Sequence, residues 1–528
     1  MFWRRSTGRS DVLSHKGMVA SSQPLATQAG LDILKAGGNA VDAGIAVAAV
    51  LDVVEPFSTG CGGDAFVLIH IPRQNIPLSY NGSGRSGSLA TLDDLTNRGW
   101  TEMPLRGGPS VSVPGAMHLW YTLNKEHGAL EFSEVLRYAI RYAREGFPVS
   151  PVIAQQWQTV VSVLRGEEAR SIFSIDGMAP STGACMRNPQ LAKVFEEVSI
   201  EGLDVFYNGW VAEAIVETVA EDGGFLSLDD LADHATEKTI PISSEYRGVE
   251  VFEHPPNGQG FAALMMLNIM ERFDFSSFGP ISAERYHLMI EAKKLAYDDL
   301  HRHNADPSFY DVPLKTLLSK EYAISRATLI QTDTSLDTIN LDMNYTHDTV
   351  YLCAADADGM AVSFINSLYR GFGSGLVAKG TGIKLQNRAN LFSLDPDHAN
   401  CYAPRKRPFH TIIPGALYRE KEFMGVFGIM GGSHQAQAHA QFVSNLIDYG
   451  MGPQEALDHP RFNHEQLTNT LGLENGIPPE VQGELRRRGH TLVHETMSGF
   501  GGGQAILHEN GYWIAGSDYR KDGQASGY

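Results

Sequence analysis

The chain has 528 residues, enough for three or four domains at roughly 150 residues each or for one large domain with insertions. Its 43% hydrophobic and 20% charged residues exclude a disordered or fibrous chain. A net charge of −19 repels phosphate backbones, so no nucleic-acid partner is expected, although a local pair of arginines can still hold a small anion.

At the N-terminal end, Arg4, Arg5 and Arg9 are followed by no apolar run before Lys16, so no secretory leader is expected. The longest apolar run, Ala43–Leu51, falls far short of the about 20 residues that a bilayer span needs. Cys61, Cys185, Cys353 and Cys401 share no CxxC spacing, which argues against a zinc or dithiol site and for free thiols. A cytoplasmic protein that contacts no membrane is the expectation.

Leu25, Leu31, Ile33 and Leu34 give residues 25–36 the apolar spacing of a helix, stopped by Gly37-Gly38. Asn39 can cap a second helix over 40–54, with Asp42 favourable in its first turn. That helix is apolar nearly all round and is predicted to be buried. After Pro56 comes Ser58-Thr59-Gly60-Cys61-Gly62-Gly63-Asp64, read as a tight turn before a strand over 65–70. No lysine follows and no helix opens there, so it is not a phosphate loop. Ser58 and Thr59 are candidate pocket residues. Residues 130–326 are predicted to be helical, with helices over 130–145, 211–221 and 283–303.

From Asp348 the character changes. Thr349–Ala355 and Ala361–Ser367 flank Asp356-Ala357-Asp358-Gly359, a hairpin pattern. Further strands are predicted over 411–418, 423–429, 504–508 and 512–516, with a helix over 435–449. Helices flanking a mainly antiparallel sheet indicate an α+β fold of layered αββα type. The histidines at 301, 303, 434 and 439 are read as lying on solvated helix ends and not as metal ligands. Thr349 and Ser367 lie nine residues either side of Asp358, so the hairpin brings two hydroxyls opposite or nearly opposite one another. A cross-strand hydrogen bond is the plain reading of such a pair.

Longer motifs run through the chain: Met18-Val19-Ala20-Ser21-Ser22, Gly37-Gly38-Asn39-Ala40-Val41-Asp42-Ala43, Glu55-Pro56 with Gly60, Gly62 and Gly63, and Val113-Pro114-Gly115. Arg144-Glu145-Gly146-Phe147, Pro404-Arg405-Lys406-Arg407-Pro408, Gly431-Gly432-Ser433 and Ala515-Gly516-Ser517-Asp518 continue the series. On these the chain resembles the gamma-glutamyltransferase family of N-terminal-nucleophile hydrolases, whose fold is a four-layer αββα sandwich. The resemblance implies a precursor that cuts its own Asp348–Thr349 bond. A large chain, 1–348, and a small chain, 349–528, would then form one intertwined domain and an obligate heterodimer, with pairing of heterodimers conceivable. Thr349 would be the nucleophile and its freed α-amine the base, since an α-amine ordinarily titrates at about 7.7–8.0. Ser367 would orient it, and backbone N–H groups around Gly431 and Gly432 would form the oxyanion hole. No cofactor or metal is implied.

The chain departs from the family where the substrate's α-amino acid group is held. The family's carboxylate-binding arginine aligns with Ser83, and Arg85 comes two residues late. The acid that meets the substrate ammonium is Leu391 here, and Arg388 stands close by. His410 and Thr411 replace two serines, and Tyr369 replaces a smaller amide side chain. Arg85 and Arg388 can face a carboxylate, with Tyr369, His410 and Thr411 lining the site, whereas an ammonium has lost its partner. A surface ion pair is the plain reading of Arg388. The substrate implied is a short carboxylated amide without an α-amino group. The oxamate amidohydrolase branch, which forms oxalate and ammonia in the breakdown of uric acid and allantoin, is the nearest match. The alternatives are a gamma-glutamyltransferase or glutathione hydrolase, and an unprocessed inactive homologue that only binds.

Overall fold

The computed structural model describes residues 8–337 and 348–528, which leaves Arg4 and Arg5 outside the described residues. The fold is built on two seven-stranded antiparallel sheets packed face to face. In chain order the strands are β1 (Val12–Ser14), β2 (Met18–Ser21), β3 (Asp64–His70), β4 (Leu78–Gly82), β5 (Glu237–Thr239), β6 (Ile242–Tyr246) and β7 (Val249–Glu253). Beyond residue 347 come β8 (Asp348–Ala355), β9 (Ala361–Tyr369), β10 (Gly415–Arg419), β11 (Glu422–Met430), β12 (Gly502–Glu509), β13 (Tyr512–Ser517) and β14 (Gln524–Gly527). One sheet has the order β1-β13-β12-β11-β10-β7-β6, the other β14-β2-β8-β9-β3-β4-β5. Both sheets mix strands from before and after Asp348.

Strand periodicity sets the layers. Along β8, Val350, Leu352 and Ala354 point to one face and Tyr351, Cys353 and Ala355 to the other. The first set packs under helices that include α1 (Pro24–Lys35), α2 (Ala40–Val54) and α3 (Phe132–Glu145). The second set meets Ala416, Val426 and Ile506 of the facing sheet. The far side of that sheet, with Val251, Leu417 and Phe427, is covered by α4 (Gly260–Met270), α5 (Ala283–His303) and α6 (His434–Tyr449). The result is the four-layer αββα sandwich. Both faces of the central strands are buried, which is why they read as nearly continuous apolar runs.

Local signals explain the elements that sequence foresaw. Asn39 caps α2, accepting from Val41 and Asp42, and Asp42 reaches back to the Asn39 N–H at 3.2 Å. Ser282 caps α5, which runs over Ala283–His303. Two expectations need correction. The stretch predicted to be helical contains β5, β6 and β7; β5 and β6 are edge strands, which need little apolar pattern to hold their place. The strand predicted over 411–418 begins only at Gly415, because Pro414 has no N–H to give the ladder.

Candidate active site

The β8–β9 hairpin carries a bulge between Asp348 and Val350: Asp348 pairs with Tyr369 and Val350 with Asn366. Thr349 sits in that irregularity, and its Oγ1 lies 3.0 Å from Ser367 Oγ. Ser367 Oγ also accepts the Tyr369 N–H at 2.8 Å, which fixes the serine rotamer. Both residues are buried. The sequence reading brought these two hydroxyls together, and the bulge is what lets a threonine between two ladder positions reach the serine.

The glycine cluster packs the loop before β3 against this hairpin. A side chain at Gly63 would stand 2.2 Å from the Ser367 carbonyl, and one at Gly62 would stand 2.0 Å from the Lys384 carbonyl. Next to the cluster, the Ser58 carbonyl accepts the Leu368 N–H at 3.2 Å. The Ser58 hydroxyl donates to Glu55, whereas the buried Thr59 hydroxyl has no hydrogen bond among the described residues.

Asp64, at the start of β3, is a hub that sequence reasoning missed. Its Oδ1 accepts from Gly84 N at 3.0 Å, Gly115 N at 3.2 Å and Gln386 Nε2 at 2.9 Å. Its Oδ2 faces His410 Nε2 at 2.6 Å. Burial and then the Arg388 charge push the His410 pKa down, against the pull of Asp64. His410 Nδ1 lies 3.0 Å from the Pro408 carbonyl and 3.1 Å from Asn257 Nδ2. Asn257, Asn81 and Ser83 complete an amide network behind it. The one hint in the sequence was the place of Asp64 directly after the glycine cluster.

Thr411 follows His410, and its Oγ1 accepts Arg388 Nη1–H at 2.9 Å. Arg388 is fully buried, not at the surface. Its Nε and Nη2 make no hydrogen bond with any described residue. Its guanidinium carbon stands 4.8 Å from the centre of the Tyr369 ring. Burial pulls its pKa down to about 10, with Asp64 and Tyr369 opposing. Guanidinium stays charged at neutral pH, so this is a cation with one edge unspent. Leu391, three residues on in the same 3-10 turn, packs in an apolar cluster with Tyr369, Phe409 and Ile413. Arg85 is placed differently. Its guanidinium pairs with Glu237 at 3.1 Å and Asp306 at 3.3 Å and donates to the Arg405 carbonyl.

Gly431 and Gly432, with φ of 141° and 55°, make the turn from β11 into α6. Positive φ at both positions is what glycine tolerates best. Ser433 stands at the N-cap of this 16-residue helix without a side-chain capping bond. Such a turn at a helix start presents backbone N–H groups and the positive end of the helix dipole.

The histidines expected on solvated helix ends are mostly buried. His434 and His439 are enclosed, and His439 Nδ1 bonds Glu253 at 2.7 Å while its Nε2 accepts the Ile429 N–H. His301 is buried too, and only His303 is half-buried. Their helices pack on a sheet, so these side chains point inward. Among the described residues, His287, Glu291 and His490 form the one trio of metal-type side chains. Lys294 already pairs with Glu291 at 2.9 Å, and the two imidazoles share a hydrogen bond of 2.8 Å. The four cysteines are free thiols. No described helix is long and apolar enough to cross a membrane.

Residues 26–528 match the family described as gamma-glutamyltranspeptidase. The chain belongs to that family. It is 38% identical to the glutathione hydrolase-like YwrD proenzyme of Bacillus subtilis, covering 98% of this chain and 99% of the relative. It is 34% identical to the oxamate amidohydrolase proenzyme of Klebsiella pneumoniae, again over 98% and 99%. Among solved structures, a cephalosporin acylase from Bacillus halodurans superposes with a TM-score of 0.93 at 40% identity, covering 100% of this chain and 98% of that one. The chain is thus similar to amide-cleaving N-terminal-nucleophile enzymes of several specificities, and the family membership accounts for the αββα fold.

Proposed function

We propose that this gamma-glutamyltranspeptidase family member is a self-processing amidohydrolase for small amides that carry a carboxylate, with oxamate as the best candidate. The observation that carries the reading is Arg388, a buried guanidinium with two unspent donor nitrogens, in the same turn as an apolar Leu391. A carboxylate fits the Nε–Nη2 edge in bidentate fashion. An α-ammonium there would meet a cation and a leucine, with no acid to pair it. The likeness to an oxamate amidohydrolase proenzyme supports the same reading.

In this mechanism the Asp348–Thr349 bond is cut first, freeing the Thr349 amine. The neutral amine takes the Oγ1 proton as Oγ1 attacks the amide carbon. Ser367 steadies the hydroxyl. The oxyanion that forms is met by N–H groups of the Gly431–Gly432 turn. The C–N bond then breaks, the ammonium passes its proton to the leaving nitrogen, and ammonia departs. Water adds to the ester, and oxalate leaves with Thr349 Oγ1 reprotonated.

The likeness to a cephalosporin acylase favours a second reading, in which the amine side is larger than ammonia. The test is a panel of amides: oxamate, longer ω-carboxylated amides, N-substituted versions and a gamma-glutamyl anilide. Fastest turnover on a carboxylated amide without an α-amino group supports the proposal. Fastest turnover on the gamma-glutamyl anilide overturns it.

A further inference from the structure

Gln259 stands between the two halves of this site and lies outside the motifs that carry the family resemblance. It is fully buried just before α4. Its single amide nitrogen donates to two backbone carbonyls, that of Thr411 and that of Gly432, the latter at 2.7 Å. Both amide protons are therefore spent, and Oε1 has no hydrogen bond among the described residues. Thr411 holds Arg388, and Gly432 belongs to the turn at the start of α6.

The geometry of the peptide unit gives this contact a consequence. Within one planar peptide, the carbonyl of Gly432 and the N–H of Ser433 point in opposite directions. The Gly432 carbonyl accepts from both Gln259 and the Gln435 N–H at 3.2 Å, and drawing it that way aims the Ser433 N–H the other way. The next carbonyl, of Ser433, is taken by the Tyr297 hydroxyl, and that of Gly431 by the His434 N–H at 3.0 Å. Three successive carbonyls of the turn are thus held by donors. A glycine pair left to itself would sample many orientations, and each misaimed N–H weakens stabilisation of a developing oxyanion.

We propose that Gln259 is a positioning residue: it aims the Ser433 N–H that completes the oxyanion-binding turn at 431–433 and ties that turn, through Thr411, to the arginine that would hold the substrate carboxylate. The inference rests on the function proposed above. Its signature is a split in kinetic constants. Loss of Gln259 misaims donors used in the transition state, so kcat falls. Loss of Arg388 removes a contact made in ground and transition states alike, so KM rises.

The test uses the processed full-length protein and the best carboxylated amide of the panel. Gln259→Met keeps length and volume but cannot donate. Its kcat should fall roughly 10–100-fold, less than the 10²–10³ for deleting a direct donor. Its KM should stay within about threefold, and a boronic-acid transition-state mimic should lose affinity in step with kcat. Arg388→Met should raise KM, and the double variant should lose less than the product of the two single losses. If Gln259→Met does not accumulate folded, Gln259→Glu keeps the length and repels the same two carbonyls. An active wild type with unchanged kcat in the variant, or a variant that changes only KM, overturns the role of Gln259. A wild type inert toward every carboxylated amide overturns the functional reading beneath it.

Discussion

The guanidinium of Arg388 lies 4.8 Å from the ring centre of Tyr369, a residue held at a φ of 79° two positions beyond the Ser367 that meets Thr349. An arginine from the 387–391 turn and the two-hydroxyl pair of the hairpin thus belong to one site. The ring serves as a platform for the cation, and under the proposed function the cation's remaining donors would hold the substrate carboxylate.

The two candidate arginines should separate. Arg388→Met should lower kcat/KM for a carboxylated amide by roughly 10–150-fold, the worth of a charge-assisted contact of about 1.5–3 kcal/mol. The same change removes a buried, half-satisfied charge, so thermal stability should hold or rise. Arg85→Met should leave kcat/KM within about threefold, because that guanidinium is engaged by Glu237 and Asp306. Steady-state kinetics and melting curves on both variants check this.

Self-cleavage should give fragments 1–348 and 349–528, with Thr349 as the new N-terminus. Thr349→Ala should stay intact, since an N–O acyl shift needs the hydroxyl. Ser367→Ala should slow the cut, because it removes the oxygen 3.0 Å from Thr349 Oγ1. Gel analysis and N-terminal sequencing decide, and a cut at another bond would refute the assignment.

Leu391 tests substrate class. Leu391→Asp puts a carboxylate three residues from Arg388 in one turn. The new ion pair should consume the arginine and suppress oxamate turnover. Arg388→Gln with Leu391→Asp frees the acid and should raise gamma-glutamyl turnover while oxamate turnover stays low. Rates on both substrates that match the wild type would show that neither position touches the acyl group.

Acid should unfold the protein early. Burial lowers the pKa of His254, His301, His459 and His490 to about 3 and that of His70 to about 4. Each is near 6.5 when unfolded, so below that pH the unfolded chain binds more protons. The contribution of these histidines is fully present above about pH 6.5 and is lost as pH falls toward 4, by on the order of 1.4 kcal/mol per pH unit for each. Asp458, raised by burial to about 6, works the other way for a single proton. Denaturant titrations between pH 7.5 and 4.5 should show a falling midpoint, and a flat profile would contradict the assignment.

Features with a local cause were legible in the sequence. Asn39 and Asp42 wrote the start of α2, and the turn at Asp356–Gly359 wrote the hairpin and hence the Thr349–Ser367 pair. What depended on the third dimension was not. Nothing near Arg388 in sequence reveals that it is buried, and nothing links Asp64 to His410 across 346 positions. Gln259 and Tyr297 act on backbone carbonyls, which carry no sequence signature of their own. The edge strands β5 and β6 were hidden because their partly exposed faces admit polar residues.

The interleaving of the sheets bears on ancestry. In one sheet β8 runs between β2 and β9, and β9 is followed by β3, so a cut before Thr349 would leave strands of both pieces hydrogen-bonded side by side. In the other sheet, β10 to β13 lie between β1 and β7. Pulling the pieces apart would mean unzipping both sheets and opening the core between them. If the Asp348–Thr349 bond is cut as proposed, the two pieces would therefore stay the pair that one act of translation made. A cell making two variants of this protein would then hold no cleaved pair that joins a piece of one to a piece of the other.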